Sequence, residues 1–269
     1  MPDYKRYIVS TDLDGTLLDH HSYSYEPALP AIAALKEQQS PIVINTSKTC
    51  SEVINLQADM ALRDPFIVEN GSAVFIHKND TRFNTSQCLL KGEYYVHVLG
   101  SERASITDFL QSLRTANQYT FSMFADFTVE DVIKHTGLDE NSAKLSKDRG
   151  YSEPLIWEDT QEAYEKFYEQ VCTQGLRILK GGRFIHVLGA TNKGTAFEWL
   201  SSKLNSDTAP HRIALGDSHN DLDMLSIADT AVLCRSPSND FPVFTHHNLI
   251  KTHEYGPQGW NTSILAILK

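Results

Sequence analysis

Thr11-Asp12-Leu13-Asp14-Gly15-Thr16-Leu17-Leu18 follows directly on the apolar run Tyr7-Ile8-Val9. Two carboxylates stand two positions apart just beyond a stretch that reads as a buried strand, and a glycine comes next. Ligands of open parallel sheets bind outside the carboxyl ends of the strands, so this is where chemistry belongs. Two acids there can hold a hard cation, and one can attack an electrophile. An acidic turn capping a helix has the same composition, because Asp and Gly favour turns in any case. Distant segments decide between the two readings.

Ile213-Ala214-Leu215-Gly216-Asp217 repeats the pattern, a short apolar strand running into Gly-Asp, and Ser218-His219-Asn220-Asp221 leads from it into a helix. An N-capped helix with an acidic first turn explains one acid there. It does not explain Asp217, Asn220 and Asp221 together beside a second acid-tipped strand. Pro41-Ile42-Val43-Ile44-Asn45-Thr46-Ser47-Lys48-Thr49 is a strand ending in hydroxyls and a lysine, a surface suited to phosphate oxygens. In Thr191-Asn192-Lys193-Gly194-Thr195, Lys193 opens a helix carrying Ala196, Phe197 and Leu200.

In this order the four segments resemble the haloacid-dehalogenase-like superfamily of phosphatases. The resemblance implies that Asp12 is the nucleophile, Asp14 the general acid/base, Thr46 the hydroxyl that binds the phosphoryl group and Lys193 the neutralising lysine. It also implies that Asp217 is the acidic ligand of Mg2+ and Asp221 a supporting carboxylate, with the Asp14 backbone carbonyl a further ligand. The chemistry agrees. A phosphate ester meets an anionic nucleophile only if charge is screened, and Mg2+ takes one or two protein carboxylates while keeping several waters. Asp12 and Asp217 can supply those, and Lys193 adds a point charge.

The chain has 269 residues and a net charge of −10, which argues against nucleic acid or an anionic membrane as partner. Cys50, Cys88, Cys172 and Cys234 are widely spaced, so buried free thiols are expected rather than disulfides or zinc. The absence of a basic-apolar leader or a span of about 20 apolar residues predicts a cytoplasmic protein. A monomer or weak homodimer is expected.

Strands are expected at 8–11, 42–46 and 66–69, with helices over about 27–38 and through Val53, Ile54, Leu56 and Met60. This rhythm predicts an α/β fold with a Rossmann-like parallel sheet core and helices on both faces. Thr46 and Lys193 lie 147 positions apart, yet a strand-helix-strand unit takes about 30 residues. The excess is patterned, with helices expected at 105–113 and 160–171 and strands at 94–99, 119–124 and 184–188. Such patterning argues against a floppy loop. The expected organisation is a core of 1–81 and 190–269 with an inserted domain of 82–189. In the superfamily an insert at this place is the type-two cap, an α+β fold.

Further segments resemble one family within it, the mannosyl-3-phosphoglycerate phosphatases: Thr46-Ser47-Lys48-Thr49, Glu69-Asn70-Gly71, 149–154, Lys180-Gly181-Gly182-Arg183-Phe184-Ile185-His186, and 256–260. Ser72 stands where that family has a second glycine. The implied substrate is a small phosphorylated sugar-glycerate carrying a phosphate, a carboxylate and a sugar. Arg grips a carboxylate with two parallel hydrogen bonds, so Arg183 after Gly182 is the first candidate, with Lys180 and Lys48 behind it. A solvated Gly-Gly hairpin remains the plain alternative. Ser47 and Asn220 complete the candidate substrate contacts. Glu153 and Arg149 either touch sugar hydroxyls or pair with each other. Trp260 reads as core packing, and His186 as a strand residue. Other sugar phosphates, such as sucrose 6-phosphate or glucosyl-3-phosphoglycerate, and phosphomutase chemistry are the competing functions.

Overall fold

A computed structural model of the chain describes residues 7–181, 184–206, 208–238 and 240–269. Two compact units emerge, one of residues 1–46, 63–97 and 192–269, the other of 47–62 and 98–191.

The first unit is built on a nine-stranded sheet. Its strands are β1 (Tyr7–Thr11), β2 (Ile42–Asn45), β3 (Phe66–Val68), β4 (Ala73–His77), β5 (Leu89–Lys91), β6 (Tyr94–Val98), β11 (His211–Gly216), β12 (Thr230–Arg235) and β13 (Leu249–Tyr255). Their order is β13-β12-β11-β1-β2-β3-β4-β6-β5. From β13 to β3 all neighbours are parallel, while β4 runs antiparallel to β3 and β5 to β6. Consecutive residues of β2, β3 and β12 are buried, as are Ile8 to Thr11. Side chains alternate between the faces of a strand, so both faces are covered. Trp260, fully buried in the last helix, donates its indole N–H to Thr11 Oγ1 at 3.0 Å. From β1 the chain winds one way through β2 and β3, then returns to build β11 to β13 on the other side. The crevice between β1 and β11 is therefore the topological switch point, where such sheets bind ligands.

The second unit holds a four-stranded antiparallel sheet of β7 (Phe121–Met123), β8 (Ser152–Trp157), β9 (Leu176–Gly181) and β10 (Phe184–Gly189), in the order β7-β8-β10-β9. Leu110 and Leu113 from one helix, Phe167 and Val171 from another, and Phe121, Leu155 and Val187 from the strands form its core. Two helices that the sequence does not announce, Val129–Thr136 and Glu140–Lys147, form a small satellite through Val132 and Ala143. Each buries too few apolar positions to show a period.

The units do not follow the expected bounds. The strand expected at 94–99 becomes β6 and, with β5, extends the large sheet. The helix Cys50–Asp59 groups with the second unit, where Thr49 Oγ1 donates to the Leu145 carbonyl at 2.9 Å. Among the described residues, no helix is long and apolar enough to cross a membrane. All four cysteines are free thiols as expected, but only Cys234 is buried; Cys50 and Cys88 are partly exposed and Cys172 is exposed.

Candidate active site

At the switch point β1 and β11 run in register, with Thr11 beside Leu215. The Asp12 amide donates to the Leu215 carbonyl at 3.0 Å, which places Asp12 and Asp217 at neighbouring strand ends. Lys193 begins the helix Lys193–Ser202, capped by the Asn192 side chain, which accepts the Thr195 amide at 2.7 Å. The Lys193 ammonium is 2.7 Å from Asp12 Oδ1 and 2.7 Å from Asp221 Oδ1, and its side chain is fully buried. Asp221 Oδ2 accepts the amides of Asp217 and Ser218, each at 3.0 Å. One carboxylate thus shapes its own loop and holds the lysine. Thr16 Oγ1 donates to Asp217 Oδ1 at 3.4 Å. Gly15 has φ +81°, and a Cβ there would stand 2.8 Å from Asp217 Oδ2. A side chain at 15 would close the space between the two acid-bearing loops.

Burial dominates the electrostatics of this arrangement. Burial pushes the Asp12 carboxyl up to about 7; Lys193 pulls it back, while Asp221 and Asp14 push it further. Burial also raises Asp217, to about 8, with Asp12 and Asp221 adding to the rise. For Lys193 burial favours the neutral amine, but Asp12 and Asp221 outweigh it and hold the ammonium above its ordinary range. Three buried carboxylates beside one ammonium are costly in low dielectric. Oxygens of Asp12, Asp217 and Asp221 lie within 4.8 Å of one another. An all-oxygen, acidic, buried donor set fits a hard divalent cation.

A family model described as haloacid dehalogenase-like hydrolase matches residues 9–239. The chain belongs to the haloacid dehalogenase-like hydrolase family. It is an enzyme of the phosphatase kind. A protein of Persephonella marina named glucosyl-3-phosphoglycerate/mannosyl-3-phosphoglycerate phosphatase is 36% identical over 97% of both chains. A protein of Methanococcoides burtonii with the same name is 37% identical over 98% of this chain and 97% of its own. Among solved structures, a Thermoplasma acidophilum protein superposes with a TM-score of 0.67 at 14% identity, over 99% of this chain and 100% of its own. The sucrose-phosphatase of Synechocystis, in complex with sucrose and phosphate, gives 0.58 at 11% identity, over 97% and 98%. At such identities these two show the fold alone.

The other residues singled out in the sequence fall in several places. Asp14 follows in the β1 loop, close enough for its charge to act on Asp12. Thr46 is buried one strand away, just past β2, its amide donating to the Ile67 carbonyl at 3.0 Å. Asn220 sits in the Asp217 loop, its Nδ2 donating to Asn70 Oδ1 at 3.1 Å. Ser47 and Lys48 belong to the second unit, and Arg149 donates to the Ser47 carbonyl at 2.8 Å. Lys180 lies in β9 with its ammonium 4.4 Å from the centre of the Tyr164 ring. Gly182 and Arg183 lie outside the described residues. Glu153 is fully buried and pairs with Arg103, so the Glu153–Arg149 pair is replaced by a different one.

One residue has no counterpart in the sequence reading. Asn45 donates through Nδ2 to the Lys193 carbonyl at 3.0 Å and to Ser10 Oγ at 3.2 Å. It thereby ties the start of the lysine helix to β1 and β2. Its signal was present as an amide at the end of an otherwise apolar strand, which needs a buried partner.

Proposed function

We propose that this protein is a Mg2+-dependent phosphatase that hydrolyses mannosyl-3-phosphoglycerate to mannosylglycerate and phosphate through an aspartyl-phosphate on Asp12. The observation that carries the reading is the Lys193 ammonium, held by Asp12 and Asp221 in a pocket that Asp217 makes acidic. Asp12 and Asp217 would hold Mg2+, with the Asp14 carbonyl, and Asp221 would support them from behind. When bound, the ion would supply positive charge that screens the nucleophile from the anionic ester. Asp12 then attacks phosphorus through Oδ2, since Lys193 engages Oδ1. Lys193 and the Thr46 hydroxyl hold the phosphoryl oxygens in line. Asp14 protonates the departing alkoxide, then takes a proton from the water that splits the acyl phosphate. Positioning and charge stabilisation do most of the work in such transfers.

The names of both relatives also support glucosyl-3-phosphoglycerate as a second substrate. A panel of phosphorylated sugars and glycerate conjugates, assayed for phosphate release with Mg2+, tests the reading. Turnover of both glycerate conjugates well above sucrose 6-phosphate is the expected result. Preference for sucrose 6-phosphate would reject the substrate assignment, and dependence on a bisphosphorylated activator would turn the reading towards a mutase.

A further inference from the structure

The turn joining β3 to β4 has unusual backbone geometry. Glu69, Asn70 and Gly71 have φ of +50°, +60° and +93° in succession. Cβ crowds the carbonyl in that region, and residues other than glycine visit it singly. Four-residue hairpin loops are most often built on ordinary type I turns, so joining the strands does not demand it. Strained backbone of this kind persists where its surroundings over-determine it, and it clusters at functional sites. Glu69 and Asn70 are both buried, and the Ser72 hydroxyl closes the turn onto the Glu69 carbonyl at 2.7 Å.

Three active-site segments meet this one turn. The Asn70 amide donates to the Thr46 carbonyl at 2.9 Å. Asn70 Oδ1 accepts from Asn220, whose own Oδ1 takes the Ser218 hydroxyl in the loop that seats Asp221. At Gly71 a Cβ would stand 2.1 Å from the Asn192 carbonyl and 2.8 Å from the Lys193 nitrogen. The backbone there is pressed against the cap of the lysine helix. Threonine, lysine and acidic-loop segments, far apart in sequence, are thus gauged against four residues.

We propose that this turn sets the spacing of the phosphate-binding segments, with Asn70 as the positioning residue that fixes the Asp217–Asp221 loop through Asn220. The inference rests on the phosphatase reading above. Asparagine suits the place, since it tolerates the left-handed region and offers a neutral acceptor. Glycine would supply the conformation without the link, and aspartate would add charge beside an acidic cluster.

Asn70→Gly keeps the backbone conformation and deletes the amide, while Asn220→Ala cuts the same bond from the other side. For the wild type, both single variants and the double, Mg2+ affinity is measured by titration calorimetry. Thermal melts and kcat and KM on p-nitrophenyl phosphate accompany it. Each single variant should weaken Mg2+ binding and lower kcat about tenfold, the low end for groups that orient metal ligands. The melting temperature of both should stay near wild type, as should KM in Asn70→Gly, whose side chain is no candidate substrate contact. The double should be no worse than the weaker single, since one bond can be lost only once. Losses that multiply in the double would overturn the proposal, as would unchanged Mg2+ affinity or a kcat loss that only follows a lowered melting temperature. Should Asn70→Gly fail to fold, Asn220→Ala decides: wild-type Mg2+ affinity there overturns the proposal, and a loss at unchanged melting temperature supports it. A wild-type protein that hydrolyses no ester would sink the phosphatase reading, while the affinity cycle would still decide the positioning role.

Discussion

In the proposed mechanism the Asp12 carboxylate is both nucleophile and cation ligand, and Lys193 holds one of its oxygens. Asp12→Asn should therefore fold normally and lose nearly all turnover, because an amide attacks poorly and binds cations poorly. Steady-state assays against a circular dichroism control check this. Retention of a tenth of wild-type kcat, a loss of only about 1.4 kcal/mol, would exclude covalent catalysis there. Arg183 carries the second residue-scale prediction, from chemistry rather than geometry. A planar guanidinium grips a carboxylate with two parallel hydrogen bonds and an ammonium does not, which makes Arg183 a better candidate than Lys180 for a glycerate carboxylate. Arg183→Ala should lower kcat/KM for mannosyl-3-phosphoglycerate by about 2–3 kcal/mol, the scale of a charge-assisted hydrogen bond. Turnover of a small aryl phosphate should barely change. Equal losses on both substrates would assign Arg183 to the fold, and no loss on either would leave it a solvated hairpin residue.

On the scale of elements, the Arg103–Glu153 pair joins a helix to a strand inside the second unit. Glu153 in β8 is fully buried, accepts the Ala125 amide at 2.8 Å and meets Arg103 at the start of the helix Arg103–Asn117. Removing one partner of a buried pair strands the other charge. Arg103→Ala should cost about 3 kcal/mol, the low end of the range for buried pairs because Arg103 keeps some solvent contact. Adding Glu153→Gln should recover part of that loss, since a neutral amide can still accept from Ala125. Urea unfolding of the three variants reads both effects. A double variant less stable than Arg103→Ala would show that Glu153 is held by something other than this pair.

For the whole molecule, charge accounting couples stability to pH and metal. Asp12 and Asp217 titrate near 7 and 8 in the folded chain against an ordinary 3.8. Between those values the folded state keeps protons that the unfolded chain has released. Their contribution is complete below about pH 4 and is lost as pH rises through 7 to 8. The metal-free protein should thus melt at a lower temperature at pH 8.5 than at pH 6. Saturating Mg2+ should shrink the gap, because the ion replaces those protons. Calorimetric melts with chelator and with Mg2+ test this. A metal-free protein equally stable at both pH values would contradict the buried acidic cluster.

The local placement of the acids and the lysine was legible from the chain alone. An apolar run ending in Asp, a glycine after it and a lysine opening a helix are signals carried by neighbouring residues, and they place Asp12, Lys193 and Asp217 at strand and helix ends. Composition and periodicity likewise determined an α/β core with inserted structure. Which distant partner each group meets was left to tertiary structure. Glu153 could have paired with Arg149, four positions away, but packing gave it Arg103. The strand at 94–98 has an ordinary strand composition, and only the free edge at β4 decides that it extends the large sheet. The amides of Asn45 and Asn70 look like strand-end and turn residues until the fold brings Lys193 and Asn220 against them. A buried polar group must find a partner somewhere. The sequence shows that the demand exists, and long-range packing alone decides where it is met.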